Sequence, residues 1–171
     1  MLQTVRRAFG IEDIRKKLFY TLLMLIVVRF GSQLPTPGVD PSFIQNFFEN
    51  QTGDAFNFFD AFTGGSFSRM SVFALNITPY ITSSIIMQLL TIAIPKLEEM
   101  QKDGEDGRKK IASITRYVTV ALALIESAAM AIGFGNQGLL QKYGPLEIIT
   151  VVAVLTAGSA FLMWIGERIT E

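Results

Sequence analysis

Four stretches of this chain are long and apolar enough to cross a lipid bilayer, and they restrict its fold more than any other feature. A helix rising 1.5 Å per residue needs about 20 residues to cross a hydrocarbon core roughly 30 Å thick. The windows are residues 18–33, 70–94, 117–134 and 146–165. The first is short unless the stems of Lys16, Lys17 and Arg29 reach out to the interfaces. The second is long enough to tilt, or to kink near Leu75 and Asn76, where Pro79 leaves a carbonyl one turn back without its donor. The fourth is the cleanest, with Glu147 at its mouth and Trp164 at interface depth. Only 18% of the residues are charged, against about 25% in soluble domains. The expected fold class is all-α: a polytopic membrane helical bundle of four transmembrane helices.

The connections sort by charge. Residues 1–17 contain Arg6, Arg7, Arg15, Lys16 and Lys17, and residues 95–116 contain Lys96, Lys102, Arg108, Lys109, Lys110 and Arg116. Residues 31–68 contain no Lys or Arg, and residues 135–145 contain only Lys142. Basic residues accumulate on the cytoplasmic side. The N-terminus and residues 166–171 are therefore expected inside, with residues 34–69 outside. No small-residue cleavage site follows the first apolar run, so it reads as a retained span. The loop at 95–116 either serves topology alone or also docks a cytoplasmic partner. Its Glu98, Glu99, Asp103, Glu105 and Asp106 make it mixed rather than polybasic, which does not favour nucleic acid or anionic lipid. Gly104 and Gly107 suggest a mobile tip to this loop.

Residues 56–90 are neither a clean span nor an ordinary loop. Phe56, Phe58, Phe59, Phe62 and Phe67 crowd a stretch expected outside, and large aromatics rarely stay in water at that density. The stretch either lies on the outer leaflet as an interfacial helix or folds back as a short re-entrant helix. In the second case Gly64 and Gly65 supply backbone freedom and Arg69 a polar end. Irregular backbone at membrane depth is tolerated only beside protein or a water-filled cavity. Further on, Ile77 and Ile81 share a helix face at i, i+4 spacing, while Thr82, Ser83 and Gln88 bring hydroxyl and amide groups away from it. Such groups either bridge helices within a bundle or line a cavity. Two charges lie inside spans. Arg29 is explained equally by snorkelling or by function. Glu126 is a functional candidate by its position, either protonated or paired toward the bundle interior.

The chain has no Cys and no His, which excludes disulfides, Cys-ligated zinc and thiol catalysis. No phosphate-binding loop, HExxH, GxSxG or paired-carboxylate arrangement occurs, so no catalytic residue, metal site or cofactor is expected and enzymatic activity has no positive support.

Four stretches together resemble the N-terminal portion of the SecY family, the central subunit of the bacterial protein-translocation channel. They are RFGSQLPTPGVD (29–40), FTGGSFSRMSVFALNITPYITSSIIMQLL (62–90), GRKKIASITRY (107–117) and FLMWIGERITE (161–171), in the family's order and spacing. The resemblance implies the first four spans of a ten-span channel, in a chain that stops where the family pattern continues. It identifies the region around Phe58, Phe59, Phe62, Gly64, Gly65, Phe67 and Arg69 as a short plug helix closing the extracytoplasmic funnel. Ile77 and Ile81 match two members of the apolar pore ring. The second and third spans, with Thr82, Ser83 and Gln88, resemble one side of the lateral gate. It also implies SecE and SecG as subunits, SecA ATPase or the ribosome as motor, a translocating polypeptide and its signal sequence as clients, and the cytoplasmic membrane as location. Two residues depart from the family pattern: Asn76, where a small residue is expected, and Glu126, where an uncharged one is.

Two other functions compete. In the first, the chain is half of a secondary transporter, with Glu126 binding a proton or cation beside the broken second span. In the second, it is a membrane scaffold subunit whose Ile77 and Ile81 touch only permanent partners.

Overall fold

The computed structural model describes residues 11–50, 58, 60–61 and 63–170. These include six bounded α-helices: α1 (Glu12–Gly31), α2 (Pro41–Asn50), α3 (Thr78–Ala93), α4 (Pro95–Lys102), α5 (Glu105–Phe134) and α6 (Pro145–Thr170). A single π turn, Gly135–Leu139, continues α5. Among the described residues there is no β-strand, only isolated bridges pairing Pro35 with Ser71 and Val39 with Leu140. The all-α expectation holds.

Two helices, α5 with its π turn and α6, are long and apolar enough to cross a membrane, and a third joins them if α3 and α4 count as one broken span. α1 falls short of that measure because Glu12, Asp13, Arg15, Lys16, Lys17 and Arg29 leave only residues 18–28 free of charge. The bend between α3 and α4 is 102°. It lies at Ile94, which is extended (φ −111, ψ 111), just before Pro95 at the head of α4. A residue preceding proline is pushed out of the helical region, so the break is dictated locally.

The second apolar window differs from expectation. It is not one helix kinked at Pro79. Residues 70–77 are turns apart from the bridge residue Ser71, and the helix begins at Thr78 with Pro79 in its first turn. There the missing N–H of proline has no partner to lose and its fixed φ suits the helix. Sixteen residues remain in α3, about 24 Å of helix. The loop at 95–116 differs too. α4 folds against the start of α5, and a Cβ at Gly107 would strike the Met100 carbonyl. Gly107 is a buried packing position rather than part of a mobile tip.

The core forms where residues 70–75 meet α5 and α6. Met70, Ala74 and Leu75 pack with Ala123, Ala131, Val151 and Leu155. The buried positions of α5 are Gly107, Thr115, Thr119, Ala123, Ser127 and Ala131, spaced by multiples of four. Those of α3 are Pro79, Ser83, Met87 and Thr91, at the same spacing. Small residues in such a register let helix backbones approach closely.

Candidate functional site

The site is built around residues 63–83, the turns that lead into α3 and the first residues of α3 itself. Their backbone is pinned from both sides. The Thr36 N–H donates to the Met70 carbonyl (2.9 Å), and the Val72 N–H donates to the Leu34 carbonyl (2.9 Å). On the α6 side, Ser159 Oγ donates to the Asn76 carbonyl at 3.2 Å. Gly158 lies beside Val72 so closely that an added Cβ would overlap the Val72 carbonyl. Gly31 plays a similar part in α1, where a Cβ would overlap the edge of the Phe73 ring.

Within this segment Met70 and Asn76 have positive φ, at 44° and 53°. For an L-residue the left-handed region costs roughly 1–2 kcal/mol, and asparagine tolerates it better than most because its short amide bonds locally. The departure at Asn76 therefore has a backbone reason: the position requires a residue at ease with φ > 0, which glycine and asparagine are.

The expected pore residues separate in exposure. Ile77 precedes α3 as its N-cap, half-buried, and its carbonyl accepts the Ile81 N–H at 3.1 Å. Ile81 is 45% exposed one turn later. Ile77 also lines a cleft of about 470 Å³ with Tyr80, Arg116, Met163 and Glu167. Across that cleft Arg116 Nε donates to Glu167 Oε1 at 2.8 Å, joining α5 to α6.

The three expected gate residues fall on different surfaces. Ser83 is fully buried, and its Oγ lies 2.5 Å from Thr119 Oγ1 on α5. Ser127 and Thr156 make the equivalent hydroxyl bond between α5 and α6, at 3.1 Å. Thr82 is half-buried, and Gln88 is exposed, donating to Ser84 Oγ at 3.5 Å. Ser83 thus acts as a bridge within the bundle, while Gln88 faces outward. The α5 partners were legible as a stripe of small and hydroxyl residues at every fourth position, but not which helix they would meet.

Of the expected plug residues, Phe59 and Phe62 lie outside the described residues. Phe58 is helical and 76% exposed. Asp60 and Ala61 are also helical, and residues 63–70 are turns, so helix stops before Gly64. Asp60 closes that end: its carbonyl accepts the Gly65 N–H (2.9 Å) and its carboxylate the Ser68 N–H (2.9 Å). Gly64 and Gly65 have φ of +66° and +79°, the freedom expected of them. Phe67 is half-buried and Arg69 exposed, the latter donating to Gln33 Oε1. Arg29, at the last turn of α1, donates from Nη1 to the Gly64 carbonyl at 2.9 Å, a tether that sequence reasoning did not find. Glu126 lines a cleft of about 270 Å³ with Phe67, Ala74, Leu75, Thr78 and Met130. Among the described residues no group of His, Cys, Asp and Glu could hold a metal ion.

A family model described as SecY matches residues 71–171. The chain is 44% identical over 173 residues to a protein of Halalkalibacterium halodurans named protein translocase subunit SecY, covering 99% of this chain and 40% of the relative. It is 44% identical over 166 residues to the like-named protein of Escherichia coli K12, covering 95% and 38%. With that of Bacillus subtilis 168 it shares 44% over 175 residues, covering 100% and 40%. The chain thus spans about two fifths of the length of these relatives. The transporter reading of Glu126 finds no support among them. A family match over more than half the chain, with relatives aligned nearly end to end, settles the membership: this chain, a membrane protein, belongs to the SecY family.

Proposed function

We propose that the chain forms the first four spans of a protein-conducting channel that moves unfolded secretory proteins across the cytoplasmic membrane and releases membrane segments into it. The observation that carries this reading is the 44% identity along the whole chain to a subunit named for protein translocation. In this reading α1, α3, α5 from residue 117 onward and α6 are the spans, with the N-terminus and residues 95–116, which include α4, cytoplasmic, as the Lys and Arg distribution favours. Ile77 and Ile81 contribute to a collar completed by later spans. An aliphatic collar closes around a passing peptide without fixed hydrogen bonds, so it resists ions yet discriminates little among sequences. Residues 58–69 are the plug. A segment held by a few local contacts suits a two-state element that its client displaces.

α3 and α5 are one wall of the lateral gate, and the exposed Gln88 face is the part that meets signal sequences. The role is passive and non-enzymatic, with SecA or the ribosome as motor and SecE and SecG as companion subunits. The test is a chimera in which this chain replaces the matched portion of the Bacillus subtilis subunit. Cells depleted of their own subunit should grow on it and export a preprotein, and photo-crosslinkers at positions 77 and 81 should capture that preprotein when it is stalled. A chimera that inserts stably but never exports overturns the proposal.

A further inference from the structure

We propose that Arg29 is a latch that holds residues 63–69 seated against α1, a positioning role whose consequence for conduction rests on the channel reading. Arg29 is the only basic residue in the last turn of α1, among Leu25, Val28 and Phe30. Among the described residues it forms no ion pair. Instead its Nη1 donates to the Gly64 carbonyl at 2.9 Å, across a gap of 35 residues. The two groups border a cleft of about 260 Å³ whose other polar walls are Ser32, Thr63, Ser66 and Asn76, which are hydroxyls and an amide with no carboxylate. A guanidinium in such surroundings satisfies its donors on neutral oxygens, and a bond from a charged donor is about twice as strong as a neutral one. Glycine at position 64 keeps the approach open, since a Cβ there would lie 3.3 Å from Nη1, on a backbone at φ +66°.

A second bond acts on the same stretch: Arg69 donates to Gln33, just beyond the end of α1. The two arginines bracket residues 64–69, and the contrast with the next residues locates the moving part. Met70, Ser71, Phe73, Ala74 and Leu75 are buried and packed against α5 and α6. Gly64 is exposed, and no atom outside its chain neighbours approaches within 4 Å of where a Cβ on Gly65 would lie. Within residues 63–69 only the small Thr63 and Ser66 are buried, while Gly64 and Arg69 are exposed, so the directed bonds add to a light packing, and the boundary falls at Met70, whose φ of 44° marks a change of direction in the chain. Such a stretch can leave its seat without opening the core.

The chain has no cysteine of its own, which permits a clean test in a chimera whose other cysteines are replaced. Ser66 is 3% exposed in the seated arrangement, so the alkylation rate of Ser66→Cys by a polar maleimide reports unseating. Arg29→Gln should raise that rate about tenfold, as loss of one charge-assisted bond implies, and Arg29→Lys, which keeps one cationic donor, should fall between. Ala131→Cys, buried in α5, should label no faster in either variant. The latch is overturned if Arg29→Gln labels at the parental rate, or if positions 66 and 131 become reactive together. Should Arg29→Gln not insert, Gly64→Ala, which crowds the same bond, must give the same selective rise. Export by the same chimera reports the channel reading separately: normal export with unchanged labelling sinks the latch alone, whereas absent export with selective labelling sinks the channel and leaves the latch standing.

Discussion

Gly158 of α6 lies close against the backbone of residue 72, and Gly158→Ala tests whether it holds the pore segment in place. An added Cβ would overlap the Val72 carbonyl oxygen and lie 2.9 Å from its carbon and 3.1 Å from Val72 Cγ1. Ordinary contact begins near 3.4 Å, so the carbon alone must retreat by at least 0.5 Å (3.4 less 2.9). The retreat cannot be taken up by a flexible side chain, because the obstacle is backbone. It also pulls on two bonds that fix the same stretch, Val72 N–H to Leu34 O at 2.9 Å and Ser159 Oγ to Asn76 O at 3.2 Å. Overpacking of this kind costs about 1–3 kcal/mol, and weakening a buried hydrogen bond adds about 1 kcal/mol. The expected destabilisation is about 2–4 kcal/mol, read from unfolding of the chimera in detergent. Gly133→Ala in α5 is the control. Nothing lies within 4 Å of its Cβ position, so alanine there should be neutral or stabilise by up to about 1 kcal/mol through helix propensity. If the two substitutions behave alike, the close packing of α6 on residue 72 is wrong.

Three further outcomes are expected. Asn76→Gly should leave stability within about 0.5 kcal/mol, while Asn76→Val should cost about 1–2 kcal/mol because a β-branched residue resists φ of 53°; equal effects in the same unfolding assay would refute the backbone explanation. A double-mutant cycle on Ser83→Ala and Thr119→Ala should give a coupling of about 0.6–2 kcal/mol for the hydroxyl pair 2.5 Å apart, and a coupling near zero would remove that bond from the account of α3–α5 packing. Asp40 has its pKa lowered below 3.8 by the hydrogen bond from the Ser42 hydroxyl and then by that from the Ser42 amide. A depressed folded-state value means the contribution is complete above the unfolded value and is lost as pH falls through the folded one. Exchange protection of the Ser42 amide should therefore persist at neutral pH and decline only in that acid range, and Asp40→Ala should show low protection throughout.

Much of the architecture could be read from residues alone. The apolar windows at 117–134 and 146–165 fall inside α5 and α6, because hydrocarbon leaves an unpaired backbone no partner and so requires helix. The break before α4 follows from Pro95, whose effect on Ile94 is local. Glycines 64 and 65 likewise announced a turn. Where α3 begins was not legible: Pro79 suits either a kink or a first turn, and only the pinning of residues 70–76 by Thr36, Leu34 and Ser159 selects the latter. Of the two glycines expected to mark a mobile tip, Gly107 is a packing position while Gly104 is exposed at φ +76°, since glycine reads equally as freedom or as close approach. Arg29 and Gly64 are 35 residues apart and Asn76 and Ser159 are 83 apart, and no periodicity connects such pairs. Helix character was thus decided by the sequence itself, through burial and backbone hydrogen bonding within short stretches. Partner choice was decided by the tertiary structure, because lipid is as apolar as the side chains it surrounds and only steric fit and directed hydrogen bonds distinguish one neighbouring helix from another.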